Sequence, residues 1–174
     1  REELDNPVAR GYEFWFLKEA KTRNPDIRLD CMLFGFPYWL SGPYSQDSAD
    51  YIISFLKLAR DEWAAPMDWI APTKTETVVK YDDIEANLAW LKNTLRPSLN
   101  SNGFADIKVL LLDGGWWCWR IFEVFESHPQ YFPEVDACGG HNIDQKPRGA
   151  PCTYPSQDII ATGKKLWSSG DTAG

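Results

Sequence analysis

A nearly uninterrupted apolar run occupies residues 107–112 (IKVLLL) and ends at an Asp-Gly-Gly sequence. A strand with one face in water alternates apolar and polar residues, whereas a strand covered on both faces need not alternate. The run therefore predicts a short strand inside a parallel sheet, with other elements packed on both of its faces. No other segment restricts the choice of fold as strongly.

Four more strand patterns accompany this run, with helical patterns between them. These strands are predicted at residues 27–36, 67–71, 135–141 and 165–168. Alternation of strands and helices predicts an α/β fold with parallel strands and right-handed crossovers. Five strands fit an open doubly wound sheet or part of an eight-stranded barrel. No Gly-x-Gly-x-x-Gly motif follows any strand, so no dinucleotide cofactor is expected.

Caps and periodicity predict where the helices lie. An Asn-Pro pair at residues 6–7 opens a first helix that runs to about residue 21, with Tyr12, Trp15 and Phe16 at helical spacing. The Arg-Pro pair at residues 96–97 is expected to end the third helix. The other predicted helices span residues 48–63, 82–95 and 117–127.

Composition predicts a globular chain that does not bind nucleic acid. The 174 residues are 44% hydrophobic and 14% aromatic, enough for one domain with a core. The net charge of −7 would repel a phosphate backbone. Exposed tryptophan stacks on sugar faces, so the nine tryptophans fit a glycan site without establishing one. No apolar run is long enough to form a transmembrane segment.

The cysteine pattern gives no sign of a metal site. None of the four cysteines forms a Cys-x-x-Cys pair, so zinc binding is not expected. Cys31 lies in an apolar run and is predicted to be a buried thiol. Cys138 and Cys152 flank a loop, and their spacing leaves two alternatives, a disulfide in an oxidising compartment or two free thiols.

Four segments carry a resemblance to a known family. They are residues 10–21 (RGYEFWFLKEAK), 36–40 (FPYWL), 135–141 (VDACGGH) and 163–171 (GKKLWSSGD). In the same order they resemble segments of the galactocerebrosidases, which are lysosomal or secreted β-galactosidases that act on galactosylceramide. The second resembles that family's Phe-Pro-Gly-Trp-Leu loop, and the fourth resembles its Gly-Lys-Lys-Leu-Trp-Ser-Ser-Glu-Asp segment.

The resemblance implies a TIM (β/α)8 barrel, of which residues 1–174 form a single partial domain holding strands three to seven. A whole barrel takes about 250 residues. Five barrel strands leave two open sheet edges, which favour association. We therefore expect the remaining strands to come from a missing segment or from another chain. The resemblance also implies a galactoside or glycolipid ligand and a lysosomal or extracellular location.

The same resemblance assigns site residues by their positions. Gly170 stands where the family has the nucleophilic Glu, with Asp171 beside it. Alignment of the second strand places Thr75 where the family has its acid/base Glu, and Glu76 lies one residue later. The resemblance also assigns substrate binding to Phe34, Trp39, Thr75, His141 and Asp171.

These residues support two hypotheses about activity. A retaining glycosidase needs one carboxyl as acid/base and another as nucleophile. Because Gly170 has no side chain, the first hypothesis is a catalytically silent relative that binds a glycan or glycolipid or serves as a structural subunit. The alternative is an active retaining β-galactosidase with Glu76 as acid/base. We expect no pair of carboxyl groups at retaining distance around Glu76, His141 and Gly170.

Overall fold

The computed structural model describes residues 12–73, 83–114, 118–140 and 155–168. These residues form one five-stranded sheet with helices on one side of it. Within the described residues no helix has the length and apolar character needed to cross a membrane.

All five strands are parallel and follow each other in the sheet in chain order, β1-β2-β3-β4-β5. They span Asp30–Met32 (β1), Trp69–Ala71 (β2), Lys108–Gly114 (β3), Ala137–Gly140 (β4) and Lys165–Ser168 (β5). The predicted α/β fold with five parallel strands is confirmed. Sequential neighbours in one parallel sheet are the arrangement of a (β/α)8 barrel, whereas a doubly wound sheet reverses its strand order part-way.

In the part of the chain that the structure describes, six α-helices connect or flank the strands. They are Glu13–Arg23 (α1), Gln46–Asp61 (α2), Ile84–Trp90 (α3), Arg96–Ser101 (α4), Ile121–Ser127 (α5) and Gln157–Ala161 (α6). A π-helical turn at Leu91–Leu95 joins α3 to α4, and 3-10 turns lie at Cys118–Arg120 and Pro129–Glu134.

The start of α2 differs from the prediction by a few residues. The N-cap is Ser45, whose hydroxyl accepts a hydrogen bond from the backbone N–H of Ser48, so Ser48 lies inside the helix. The predicted start at Ser48 is therefore a few residues late, because both serines are cap residues by type. The first of the pair caps the helix because its backbone is extended (φ −106°, ψ 168°).

The predicted stop at Arg96-Pro97 is wrong. The helical path continues through this pair, because the π-helical turn before it changes the hydrogen-bond pattern and α4 begins at Arg96. Proline is tolerated in the first turn of a helix, where its missing N–H would have no intrahelical partner. Pro97 therefore marks the beginning of a helix here.

The buried residue of α1 is also different from the three aromatic residues that helical periodicity suggested. Phe14 is buried and stacks on Trp63 with ring centroids 5.8 Å apart, whereas Tyr12, Trp15 and Phe16 are exposed. Phe14 also contacts Phe55 of α2 at 4.9 Å between ring centroids. The predicted helix start at residues 6–7 lies outside the described residues.

Alternate residues of each strand face two different cores. The main core lies between the sheet and the helices and includes Ile70, Val109, Leu111 and Cys138. The opposite, concave face carries a smaller cluster. It consists of Trp69, Ala71, Leu110 and Ala137, with Met32 and Trp167 packed against them. In a barrel, the side chains on this concave face fill the interior and form a second core.

Arg96 ties the helices to the amino-terminal ends of two strands. Its guanidinium donates to the carbonyl oxygens of Ile107 (2.9 Å) and Glu134 (2.7 Å) and to Oδ2 of Asp136 (2.7 Å). The same Asp136 oxygen accepts the backbone N–H of Val109 at 2.8 Å. This network fixes the entry of the chain into β3 and β4.

Two of the cysteines can be placed. Cys31 and Cys138 are free thiols, and burial raises the pKa of each to about 12. Cys138 lies on β4 with its side chain in the main core. The structure therefore contains no disulfide at Cys138, and Cys152 lies outside the described residues.

Candidate functional site

The carboxyl ends of the five strands share one edge of the sheet, because all the strands run in the same direction. In barrels of this type the loops that follow these ends carry the active site. β4 and β5 reach this rim side by side, with Gly140 in register with Ser168. β2, which β3 separates from β4 in the sheet, ends at Ala71 and is followed by Pro72 and Thr73.

Most of the predicted site residues lie just beyond these ends and outside the described residues. This applies to Thr75, Glu76, His141, Gly170 and Asp171. Their assigned roles, and the expected lack of a carboxyl pair, therefore stay predictions. The strands that lead to them are parallel members of one sheet.

The two predicted residues that the structure does describe lie in the loop between β1 and α2. Phe34 is 62% exposed and Trp39 is 56% exposed. Trp39 lies in a turn that is closed by a hydrogen bond from the N–H of Leu40 to the carbonyl oxygen of Pro37 (3.1 Å). Both aromatic rings are therefore open to solvent at the rim, as a sugar-binding role requires.

Sequence reasoning gave no role to Tyr38, the other residue in this turn. Its side chain is 95% exposed, and its ring meets that of Trp39 edge-on at 5.5 Å and 82°. The family segment that resembles this loop has Gly at this position. The aromatic residue in place of Gly is the sequence signal that could have identified Tyr38.

The far end of this loop is fixed to the beginning of α2. Asp47 accepts hydrogen bonds from the backbone N–H and the hydroxyl of Ser41, at 2.7 and 2.9 Å. Hydrogen bonding from Ser45 and from both donors of Ser41 lowers the pKa of Asp47 to about 2. The near end is fixed as well, because the N–H of Leu33 donates to the carbonyl oxygen of Ala71 (2.9 Å).

A buried polar pair fixes the exit of β2. The side-chain amide of Asn87, on α3, donates to the hydroxyl oxygen of Thr73 at 2.9 Å, and both residues are at most 1% exposed. Among the described residues the Asn87 carbonyl oxygen has no hydrogen-bond partner. Thr73 precedes Glu76 by three residues, so this pair anchors the start of the segment that holds the candidate acid/base. No sequence pattern pointed to Asn87.

The described residues contain no group of His, Cys, Asp and Glu side chains that would hold a metal ion. Below the rim, the concave face is filled by aromatic and aliphatic side chains. Towards the amino-terminal ends of the strands, the ammonium groups of Lys108 and Lys165 lie 5.3 and 5.6 Å from the Trp69 ring. The ammonium groups of Lys108 and Lys165 therefore lie at the end of the strands opposite to the rim.

A comparison with protein-family models decides which family this arrangement belongs to. Residues 1–174 match the model of glycosyl hydrolase family 59. The chain belongs to glycosyl hydrolase family 59. The resemblance read from the four sequence segments is therefore confirmed at the level of the family.

Curated members of family 59 match along nearly the whole chain. It is 32% identical to the galactocerebrosidases of Macaca mulatta and Homo sapiens, in alignments of 174 residues that cover 97% of this chain. A putative galactocerebrosidase of Caenorhabditis elegans is 25% identical over 92% of the chain. The chain spans 23% of the length of the first two relatives and 22% of the third.

A solved structure supports the barrel architecture of this family 59 chain. The crystal structure of SrfJ from Salmonella typhimurium superposes with a TM-score of 0.64 at 16% sequence identity. The match covers 74% of this chain and 33% of SrfJ. At this level of identity the likeness concerns the fold alone, a TIM-like barrel of which the described strands form part.

Proposed function

We propose that this chain contributes strands three to seven of a galactocerebrosidase-like barrel that binds a β-galactoside or galactolipid at its carboxyl-terminal rim and does not hydrolyse it. The observation that carries the proposal is Gly170, which stands where the related segment has its nucleophilic Glu. β5 has the predicted bounds and ends at Ser168, two residues before this position.

The chemical reason concerns the transition state of retaining hydrolysis. That reaction needs a nucleophilic carboxylate about 5 Å from the acid/base, and the oxocarbenium-like transition state needs its negative charge. Gly170 supplies neither a nucleophile nor a charge. Asp171 is a poor substitute, because it lies one residue after the family position and Asp is shorter than Glu. Binding and positioning by the other rim residues do not depend on this carboxylate.

The exposed aromatic residues support a binding role. Phe34 and Trp39 present open rings at the rim, and the loop that carries them is fixed at both ends by hydrogen bonds. A site whose side chains are ordered before the ligand arrives loses less conformational entropy on binding. Such a loop can hold a sugar ring whether or not the bond beside it is cleaved.

The proposal extends to partners and location. β1 and β5 are the two outer strands of the described sheet, and we expect further strands, from another segment or another chain, to pair with both of them. The family relationship makes the lysosome or the extracellular space the expected location.

The first test measures binding and turnover separately. Calorimetric titration with methyl β-galactoside should show binding, and a chromogenic β-galactoside at acidic pH should not be hydrolysed. Turnover by the wild-type chain that is lost in Glu76→Gln would contradict the proposal and establish the active alternative.

A second test restores the missing carboxylate. Gly170→Glu should raise hydrolysis of the chromogenic galactoside above the wild-type level, because it returns a nucleophile to the family position. Gly170→Gln is the matched control, since it has the same size without the charge and should stay inactive. Equal rates for the two variants would argue against the assignment of residue 170.

A further inference from the structure

We propose that a cavity between α1 and α2 binds the apolar chain of a small uncharged amphiphile, such as a medium-chain alcohol. The cavity has a volume of about 200 Å³ and lies on the helix side of β1 and β2. None of the residues assigned to the rim site is among its described lining residues. The inference is therefore independent of the proposed function.

Apolar side chains form the walls of this cavity. Phe14 comes from α1, Leu33 from the end of β1, and Ile52 from α2. Ile70 of β2 also lines the cavity and is 2% exposed, whereas Glu13 of α1 lines it and is exposed. The cavity therefore runs from the surface to the main core, and this shape suits a chain that enters end-on.

The polar groups near the inner end already have partners. The Cys31 thiol donates to the carbonyl oxygen of Trp69 at 4.0 Å, and the N–H of Leu33 donates to the carbonyl oxygen of Ala71 at 2.9 Å. No described side chain that lines the cavity has a buried polar atom without a hydrogen-bond partner. A buried water needs about two to four polar partners, and an apolar cavity of about 150 Å³ in another protein stays dry and binds benzene. The buried end of a ligand is therefore apolar.

Aromatic contacts keep the cavity from closing. Phe14 packs on Phe55 of α2 with ring centroids 4.9 Å apart and stacks on Trp63 at 5.8 Å. These rings set the distance between α1 and α2, so the two helices cannot move together to fill the space. Because protein interiors are close-packed, an unfilled volume of this size leaves its walls without van der Waals partners, and a ligand supplies them.

The open end of the cavity disfavours an anionic head group. Glu13 lies in the first turn of α1, and its side chain is exposed where it lines the cavity. Its carboxylate, in a chain of net charge −7, repels the carboxylate of a fatty acid. A hydroxyl head group meets no such repulsion and stays in water at the mouth. An alcohol is therefore expected to bind more tightly than a fatty-acid anion of the same length.

NMR titrations of the full chain with primary alcohols test the cavity. The probes are 1-hexanol, 1-heptanol, 1-octanol and 1-decanol. Each added methylene should tighten binding about fourfold until the chain fills the cavity at about eight carbons. 1-Decanol should then bind no more tightly than 1-octanol. Hexanoate should bind about threefold more weakly than 1-hexanol, and Glu13→Gln should reduce this difference.

The methyl signals in the same titrations locate the ligand. Those of Leu33, Ile52 and Ile70 should shift, whereas those of Leu110 and Ala137, on the concave face, should not.

Two variants of Cys31 change the space in the cavity. Cys31→Leu should weaken the binding of 1-octanol about tenfold, because its added carbon atoms occupy part of the volume. Cys31→Ala is the matched control, since it leaves the space open and should keep the affinity. Circular dichroism of both variants checks that they are folded.

Several outcomes overturn the inference. Shifts at Leu110 and Ala137 in place of those at Ile52 and Ile70 would make the concave face the apolar site. An affinity that keeps rising to 1-decanol, or unchanged binding in a folded Cys31→Leu, also overturns the cavity. Equal binding of hexanoate and 1-hexanol overturns the preference for an uncharged ligand. If Cys31→Leu does not fold, the chain-length limit and the methyl shifts decide. Binding of methyl β-galactoside is measured separately, so failure here leaves the proposed function in place.

Discussion

The indole rings of Trp69 on β2 and Trp167 on β5 lie 4.5 Å apart, although two strands separate β2 from β5 in the sheet. In a flat sheet three strand spacings would hold them about 14 Å apart. The contact therefore requires the sheet to curl until side chains of non-adjacent strands meet on its concave face. This curl is the direct structural sign of a barrel, independent of any sequence comparison.

The first prediction tests this contact. Trp167→Ala should lower the free energy of unfolding by about 2–3 kcal/mol, somewhat less than a fully buried aromatic residue would cost, because Trp167 is only partly buried. Urea unfolding of the two proteins, followed by circular dichroism, measures the difference.

Trp39→Ala is the matched control for this experiment. The Trp39 side chain is 56% exposed, contacts Tyr38 and belongs to neither of the two apolar clusters that flank the sheet. Its removal should therefore lower the free energy of unfolding by less than about 0.5 kcal/mol. If the two variants lose equal stability, the Trp69–Trp167 contact does not close the concave face in solution.

Much of the fold was predictable because parallel strands have simple local patterns. β5 was predicted with its observed bounds, and the apolar run at 107–112 was found as a strand of the interior. The continuation of the helical path past Pro97 was not predictable in the same way. A π-helical turn before a proline has no local signature, and its formation here depends on how Leu91 and Leu95 pack into the main core.

Only some residues of the candidate site could likewise be predicted from the sequence. Trp39 was identified because a family motif contains it, and Phe34 because it stands where the family has a Trp; both lie exposed in the loop after β1. Asn87 was missed, because its role depends on the packing of α3 against the exit of β2, 14 residues away in the chain. A single buried Asn on a helix carries no sequence signal that distinguishes such an anchor from an ordinary polar residue.

The second prediction concerns the network at Arg96. Arg96→Met should lower the free energy of unfolding by about 2–4 kcal/mol, because the carbonyl oxygens of Ile107 and Glu134 and the carboxylate of Asp136 lose their shared donor. Arg96→Lys should recover only part of the loss, since an ammonium group cannot reproduce the guanidinium fork. Urea unfolding measures both values.

The control for Arg96 is an exposed arginine with a simple partner. Arg23 pairs with Glu19 one turn earlier at 3.4 Å, and its side chain is 80% exposed. Arg23→Met should change stability by less than about 0.5 kcal/mol. A loss at Arg96 as small as that at Arg23 would show that the network does not fix the entries of β3 and β4.

The third prediction uses the pH dependence of the loop before α2. The pKa of Asp47 is lowered from 3.8 to about 2 in the folded chain, so its contribution to stability is present above pH 4. That contribution is lost as the pH falls from about 4 to about 2, because the folded carboxylate then becomes protonated. The stability difference between wild type and Asp47→Asn should therefore shrink across this interval.

A carbon-detected NMR titration of the Asp47 carboxyl group measures the lowered pKa directly. Ser41→Ala removes the hydroxyl that donates to Asp47 at 2.9 Å and should move this pKa upward, towards its ordinary value. An unchanged titration in Ser41→Ala, or a wild-type pKa near 4, would mean that the loop is not held to α2 as described.

The fourth prediction isolates the missing nucleophile from every other feature of the site. With dinitrophenyl β-galactoside the leaving phenolate departs without a proton, so the state of Glu76 does not limit the rate. Azide should then enter the space that the missing Glu side chain leaves at Gly170. From there it should attack the anomeric carbon from the face opposite the leaving group. The new carbon–nitrogen bond replaces the carbon–oxygen bond, and the products are α-galactosyl azide and dinitrophenolate.

Release of dinitrophenolate should accordingly depend on azide concentration in wild type. Proton NMR of the product should show the α configuration, which a retaining carboxylate would not give with azide as the final acceptor. Gly170→Glu is the control, because its carboxylate occupies the same space and should remove the azide dependence. Azide-independent release by wild type, or a β-azide product, would show that another side chain of this barrel acts as the nucleophile.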